Sequence, residues 1–272
     1  MECNERKKGA SVLKYFINSV LHHGKGAVFP IVVIALWEAA SRQNYIPENL
    51  LPPPSDLLHA FVDLLASGNL KTHIVASMLR VVAGFSIGAF LAIVVGAALG
   101  FSRTLESYFD PTFQALRAIP SLAWVPLLLL WQGIGEAPKV TLIAIGAFFP
   151  VYMSLVAGIH NVDKKLVELG QVYGLSKFDQ IHRIFIPASL PYMFTGLRTG
   201  LSLSWMFLVA SELIAASEGL GYLLTDGRET ARVDIVIITI ILLALLGKLS
   251  DSLLKTIEHR VLSWRDTYVK EI

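Results

Sequence analysis

Four ionisable side chains, Arg80, Arg117, Arg198 and Glu212, fall in stretches otherwise apolar enough to lie inside a bilayer. A charge at membrane depth is costly, so it faces the bundle interior, water or an opposite charge. Arg80 and Glu212 are expected to pair near one face of the membrane. Reversing both charges is then expected to restore what either single reversal loses. Arg117 has two readings. Its guanidinium offers a planar fork of donors suited to an oxyanion such as a sulfonate. Alternatively, it bonds backbone carbonyls freed by Pro120 and Pro126.

A second group of informative residues is polar and lies between 161 and 190. Asn161 or Asp163 caps a short helix from Lys164 to Tyr173. Gly174 stands where a helix ends in the left-handed conformation, which glycine adopts without steric cost. Ser176 and Asp179 form a capping box for a second helix. Phe178, Ile181, Ile184 and Phe185 mark its apolar face, and Pro187 and Pro191 are expected to end it and start the next span. Lys164, Lys165, Lys177 and Arg183 surround this helix–glycine–helix element. It either packs on its own bundle or docks a partner.

Other chemistry finds no support. No Gly-x4-Gly-Lys-Ser/Thr phosphate loop, no His-Glu-x-x-His pair and no Gly-x-Ser-x-Gly elbow occurs. No catalytic residue, metal site or cofactor is expected in this chain. The single cysteine, Cys3, forms no intrachain disulfide. A net charge of +2 gives no reason to expect nucleic-acid binding.

The elements that position these residues follow from composition. The chain has 272 residues, 54% hydrophobic and only 16% charged. That excludes a disordered chain and argues against an ordinary soluble domain. A crossing helix needs roughly 20 mostly apolar residues. Six spans are expected, near residues 27–43, 76–101, 111–132, 139–160, 191–216 and 233–254, in an all-α polytopic membrane bundle. Fourteen of the 23 basic residues fall in segments that lie inside if both termini do. Only Lys71, Lys139, Arg228 and Arg232 fall in outside loops, so both termini are expected in the cytoplasm. Residues 12–21 and 55–66 are amphipathic without spanning, the latter with Ser55 as its expected cap. Gly84, Gly88, Gly96 and Gly100 share one face of the second span and favour close helix approach. Pro120, Pro126, Pro138 and Pro150 suggest kinks. Trp124 and Trp131 are expected to be packing or interface anchors.

Glu168, five residues, Gly174, nine residues and then Ile184-x-Ile186-Pro187 resembles the EAA loop of bacterial ABC importer permeases. Leu169 and Gly170 replace two alanines, and Ile186 replaces a leucine. The similarity continues through Arg117-x-x-Pro120-x-x-Ala123-x-x-Pro126-Leu127 and Trp131-x-Gly133-x-Gly135-Glu136-x-x-Lys139. Ala210-x-Glu212, Gly219-x-Gly221 and Arg260-x-x-x-Trp264 extend it, covering about residues 30–265. These resemble the nitrate/sulfonate/taurine group, most of all the aliphatic sulfonate permeases.

The resemblance implies a type I ABC importer permease fold. Residues 1–26 would be a cytoplasmic tail with an amphipathic helix. Residues 27–69 would hold the first span and an external segment, 70–256 the transmembrane domain, and 257–272 a second tail. Within it, 161–187 would couple to an ATPase through Glu168, Gly174, Ile184, Ile186 and Pro187, with Lys164 and Lys165 orienting it. Arg80, Arg117, Pro120 and Glu212 would line the path or support it. The partners implied are a second permease (a homodimer or a paired permease), two ABC ATPase subunits, a periplasmic or lipid-anchored solute-binding protein and membrane lipid. The location implied is the bacterial inner membrane. Taurine, nitrate, bicarbonate and pyrimidine precursors are the alternative cargoes within this group. A stand-alone secondary transporter is the alternative of another class; it would need a coupling-ion site, often within inverted repeats, and neither is found.

Overall fold

A computed structural model describes residues 28–43, 45, 47 and 49–264. Cys3, the amphipathic stretch 12–21 and the end of the 257–272 tail lie outside the described residues. Within them the chain is helical, with no strand. The order is α1 (28–42), α2 (Pro54–Ala66), α3 (Asn69–Gly100), α4 (Arg103–Ala118), α5 (Trp124–Gln132) and α6 (Glu136–His160). Then come α7 (Lys164–Val172), α8 (Lys177–Gln180), α9 (Ile186–Ala215), α10 (Leu220–Glu229) and α11 (Val233–Val261). Among the described residues, four helices are long and apolar enough to cross a membrane: Asn69–Gly100, Glu136–His160, the continuous Lys177–Ile214 and Val233–Val261.

Two of the six expected spans take another form. The third, 111–132, is not one helix. Pro120 has no N–H to give and constrains the residue before it. Ile119 is accordingly extended, and the chain breaks between α4 and α5 through a 3-10 turn at Ser121–Ala123. The described part of the first span, α1, is shorter than a crossing requires. It nevertheless exposes Phe29, Ile31 and Leu36, as a lipid-facing helix does.

The caps also differ in places. Ser55 does not cap α2. The helix starts at Pro54, whose fixed φ suits a first helical position. Ser55 instead gives its N–H and hydroxyl to the Glu38 carboxylate at 3.1 and 3.0 Å, tying α2 to α1. Pro187 and Pro191 do not end a helix. A π turn over Ile181–Phe185 joins α8 to α9, with the Ile186 N–H bonded to the Ile181 carbonyl. That widened turn makes room for the Pro187 ring, and the chain runs on without a break.

α6 is the centre of the bundle and packs along both α3 and α9. In lipid, helices associate by close packing more than by expulsion of water, so small residues matter at the contact. A Cβ at Gly84 would meet the Ile143 Cβ at 2.6 Å, and one at Gly88 would strike the Ala144 backbone. On the other flank, a Cβ at Gly196 would meet the Ser154 Cβ at 2.7 Å, and one at Gly200 the Ala147 carbonyl at 3.1 Å. α3 thus meets α6 with its backbone close, as the glycine pattern indicates, and α9 does so too. Buried Val81, Ile143, Leu201, Trp205 and Leu208 fill the space between the three helices. Pro150 sits inside α6 without ending it.

Candidate functional site

At the end of the bundle carrying Gly100 and His160, α7 and α8 form the expected helix–glycine–helix element. Asp163 caps α7 by accepting the Lys165 N–H at 2.9 Å. Gly174 has φ +71° with open space around it, so the turn needs glycine for its backbone and not for clearance. The Leu175 N–H closes that turn on the Gly170 carbonyl at 2.9 Å. Ser176 accepts the Asp179 N–H at 3.1 Å, and its hydroxyl donates to the Asp179 carboxylate at 2.5 Å. Here the carboxylate reaches back to the hydroxyl and not to a backbone amide.

α7 is pressed onto the π turn, where a Cβ at Gly170 would meet the Ile184 Cδ1 at 2.7 Å. Ile181, Ile184 and Phe185 are half-buried there, whereas Phe178 departs from that face. Phe178 is 77% exposed, as are Val172 (84%) and Tyr173 (78%), leaving an uncovered apolar tip around Gly174. Lys164, Lys165, Glu168 and Lys177 are exposed around it. Glu168 also borders a cleft of about 700 Å³ with Arg103, His160 and Lys164. Ile186 is exposed, and Pro187 is half-buried at the start of α9.

The opposite end holds a polar network with a buried centre and an exposed rim. Arg80 on α3 is 3% exposed and Glu212 on α9 is 1% exposed, so neither charge is hydrated. Arg80 Nη1 donates to Glu212 Oε1 at 2.7 Å and to the Glu218 carbonyl at 2.6 Å. Its other two nitrogens bind Glu136 in a fork, at 2.5 and 2.7 Å. Glu212 also accepts from the Ser77 hydroxyl at 2.8 Å and from the Gly221 N–H at 2.7 Å. Lys139, read from sequence as an outside-loop residue, is buried in the first turn of α6 and binds Glu136 at 2.9 Å. The buried cations Arg80 and Lys139 meet the buried Glu212 carboxylate and two exposed ones, Glu136 and Glu218 (the latter 3.9 Å from Arg80), so no buried charge is left unpaired.

Sequence reasoning missed Glu136, Lys139 and Ser77 as members of this network. The signal was present in Gly135-Glu136-x-x-Lys139 and in Gly219-x-Gly221. The Cβ that Gly221 lacks would sit 2.6 Å from the Glu212 Cβ. The expected Arg80–Glu212 pair is present, and its wider network bears on the expected rescue by double charge reversal. An arginine at 212 would face the Gly221 N–H and have no room against Gly219, and a glutamate at 80 would face Glu136.

Between the two ends lies a pocket of about 420 Å³ lined by Arg117, Pro120, Trp124, Phe149, Met153 and Phe207, among others. The break at Pro120 ends α4 beside it and leaves Arg117 in the last helical turn, where a cation suits the helix dipole. Arg117 is exposed to the pocket, and its Nη1 contacts the Met153 sulfur. No hydrogen bond to a carbonyl freed by a proline is seen among the described residues. Trp124 lines the pocket, while Trp131 is exposed. Arg198, the fourth intramembrane charge, binds Asp251 on α11 at 2.8 Å. Among the described residues no cluster of three or more His, Cys, Asp or Glu could hold a metal.

Comparison with known proteins agrees with this architecture. Residues 69–263 match the family model described as binding-protein-dependent transport system inner membrane component. A permease protein of Bacillus subtilis (strain 168), named for transport of aliphatic sulfonates, is 39% identical over 90% of this chain and 88% of its own length. Its counterpart in Escherichia coli (strain K12) is 40% identical over 88% of this chain and 91% of its own. A chain of an amino acid ABC transporter, solved with histidines, has the same fold at TM-score 0.62 and 15% identity, over 74% of this chain and 97% of its own. The family match covers most of the chain, and the fold, the glycine-seamed bundle and the relatives agree: this protein belongs to the family of binding-protein-dependent transport system inner membrane components.

Proposed function

We propose that this permease carries aliphatic sulfonates, or a related small organic anion, inward across the bacterial inner membrane. A solute-binding protein delivers the cargo, and two separate ATPase subunits hydrolyse ATP. Two copies of the chain form the path. Both termini and the α7–α8 element face the cytoplasm, where the basic residues concentrate. The relatives named for aliphatic sulfonates support the cargo class.

The observation that carries this reading is the exposed apolar tip of Val172, Tyr173 and Phe178 around Gly174. An uncovered apolar patch ringed by lysines is a docking surface more than a finished one. Glu168 and the lysines give it a charged rim that fixes orientation. The tip seats in the ATPase. Because α8 continues through the π turn into α9, a push on the tip is delivered to a membrane helix without a flexible joint. ATP favours the closed ATPase pair, and that preference shifts the permease pair between its two states.

Copurification of the ATPase with Val172→Asp/Phe178→Asp permease tests the docking. The ATPase is expected to be lost from the complex while the permease remains monodisperse. Undiminished copurification counts against the reading.

A further inference from the structure

Of the four intramembrane charges visible in the sequence, three are matched. Arg80 binds Glu212 and Glu136, and Arg198 binds Asp251. Arg117 alone of the four has no carboxylate partner among the described residues; its neighbour is the Met153 thioether, a weak neutral acceptor. The pocket it faces is bounded on α6 by Ile145, Phe149 and Met153, in the middle turns of a helix running from 136 to 160. The rest of the wall, including Met206 and Phe207 of α9, is apolar. A guanidinium at that depth without a counter-charge is left to water, the helix dipole and a thioether, which makes it a ready receptor for an anion.

We propose that this pocket is a cargo-binding site of the permease itself. Arg117 reads the oxyanion head by a two-pronged charge-assisted hydrogen bond, and Phe149, Met153, Met206 and Phe207 hold a short alkyl tail. The inference rests on the importer reading above and deepens it. It makes the permease a second filter behind the binding protein, one selecting alkyl-bearing anions over bare inorganic ones. The volume of about 420 Å³ lies within the range of small-molecule sites. The planar fork matches two oxygens of a sulfonate. Methionine thioethers are flexible and polarisable, so the wall adapts to tails of different length. Met153 gives up the guanidinium when the anion arrives. A bare nitrate satisfies Arg117 but leaves the apolar wall unfilled.

The test uses the purified complex of this permease with its ATPase subunits, without the binding protein. Calorimetric titration with methane-, ethane-, propane- and butanesulfonate is expected to show affinity rising about fourfold per methylene, with sodium nitrate weakest. Arg117→Gln is expected to weaken butanesulfonate binding by roughly ten- to a hundred-fold. Arg117→Lys retains part of the affinity, because it keeps the charge and loses the fork. Arg228→Gln, a matched loss of exposed charge, leaves binding unchanged. A series with no chain-length dependence in the unaltered protein, or an Arg117→Gln variant binding as tightly as its parent, overturns the proposal. ATP hydrolysis by the same preparation separates the two levels. Absence of hydrolysis counts against the importer reading, whereas hydrolysis without anion binding counts against the pocket.

Discussion

Replacing Glu212 by glutamine keeps the size of the side chain and removes its charge. The unaltered carboxylate is 1% exposed and accepts from Arg80 at 2.7 Å, Ser77 at 2.8 Å and the Gly221 N–H at 2.7 Å. Its two oxygens are fully used. A glutamine turns one of them into an NH2 group, so one of these donors faces another donor. Breaking a buried pair by removing one member costs about 3–5 kcal/mol. Arg80 keeps its fork to Glu136, so the lower end, about 3 kcal/mol, is expected. At 2–4 °C per kcal/mol for a chain of this size, the thermal midpoint falls by roughly 6–12 °C. The assay is thermal unfolding of the purified protein in one detergent, followed by tryptophan fluorescence. Glu229→Gln, at an exposed position of α10, serves as the comparison and is expected to move the midpoint hardly at all. Equal midpoints for the two variants would refute the idea that the buried Arg80–Glu212 pair locks this end of the bundle.

Gly88→Leu forces a side chain into the Ala144 backbone, where no rotamer change relieves the clash. It is expected to cost at least the 1–3 kcal/mol typical of overpacking and to appear as loss of the monodisperse peak in size-exclusion chromatography. Gly174→Val meets no neighbour but must hold φ near +71°, a left-handed conformation that costs roughly 1–2 kcal/mol for a side-chain-bearing residue. Its stability is expected to fall only slightly while ATP-driven uptake falls strongly, because the apolar tip is re-aimed; uptake at the parent's rate would contradict this. Asp163→Ala removes the cap of α7 and is expected to lose about 1 kcal/mol, read as faster hydrogen exchange confined to 164–172.

The sequence disclosed what local rules govern. The cap at Asp163, the left-handed Gly174 and the Ser176–Asp179 pair depend on neighbours within a few residues, and all appear where the residue types put them. Gly84 and Gly88 announced the α3–α6 seam because a missing Cβ has few other uses on an apolar helix. Tertiary choices were harder to see. Hydropathy alone fused 111–132 into one span, since it does not register that Pro120 stops one helix and lets another start. It treated Pro187 as a terminator, because the π turn that absorbs the ring has no signature of its own. Lys139 looked like a loop residue until Glu136, three positions earlier, gave its charge a buried partner. The Arg80 network joins residues 77 to 221, so its membership is a property of the fold and not of any one window. Arg117 was visible from the first, and only the structure showed that, among the described residues, it lacks a carboxylate partner.

The central claim is that this chain forms a path whose energy comes from ATP on another subunit. Uptake of radiolabelled butanesulfonate into proteoliposomes tests it most directly, with the permease alone or together with its ATPase subunits and the binding protein. Accumulation is predicted only in the complete system supplied with ATP, and it should vanish when the ATPase is omitted. Accumulation by the permease alone, driven by an ion gradient and indifferent to ATP, would contradict the account.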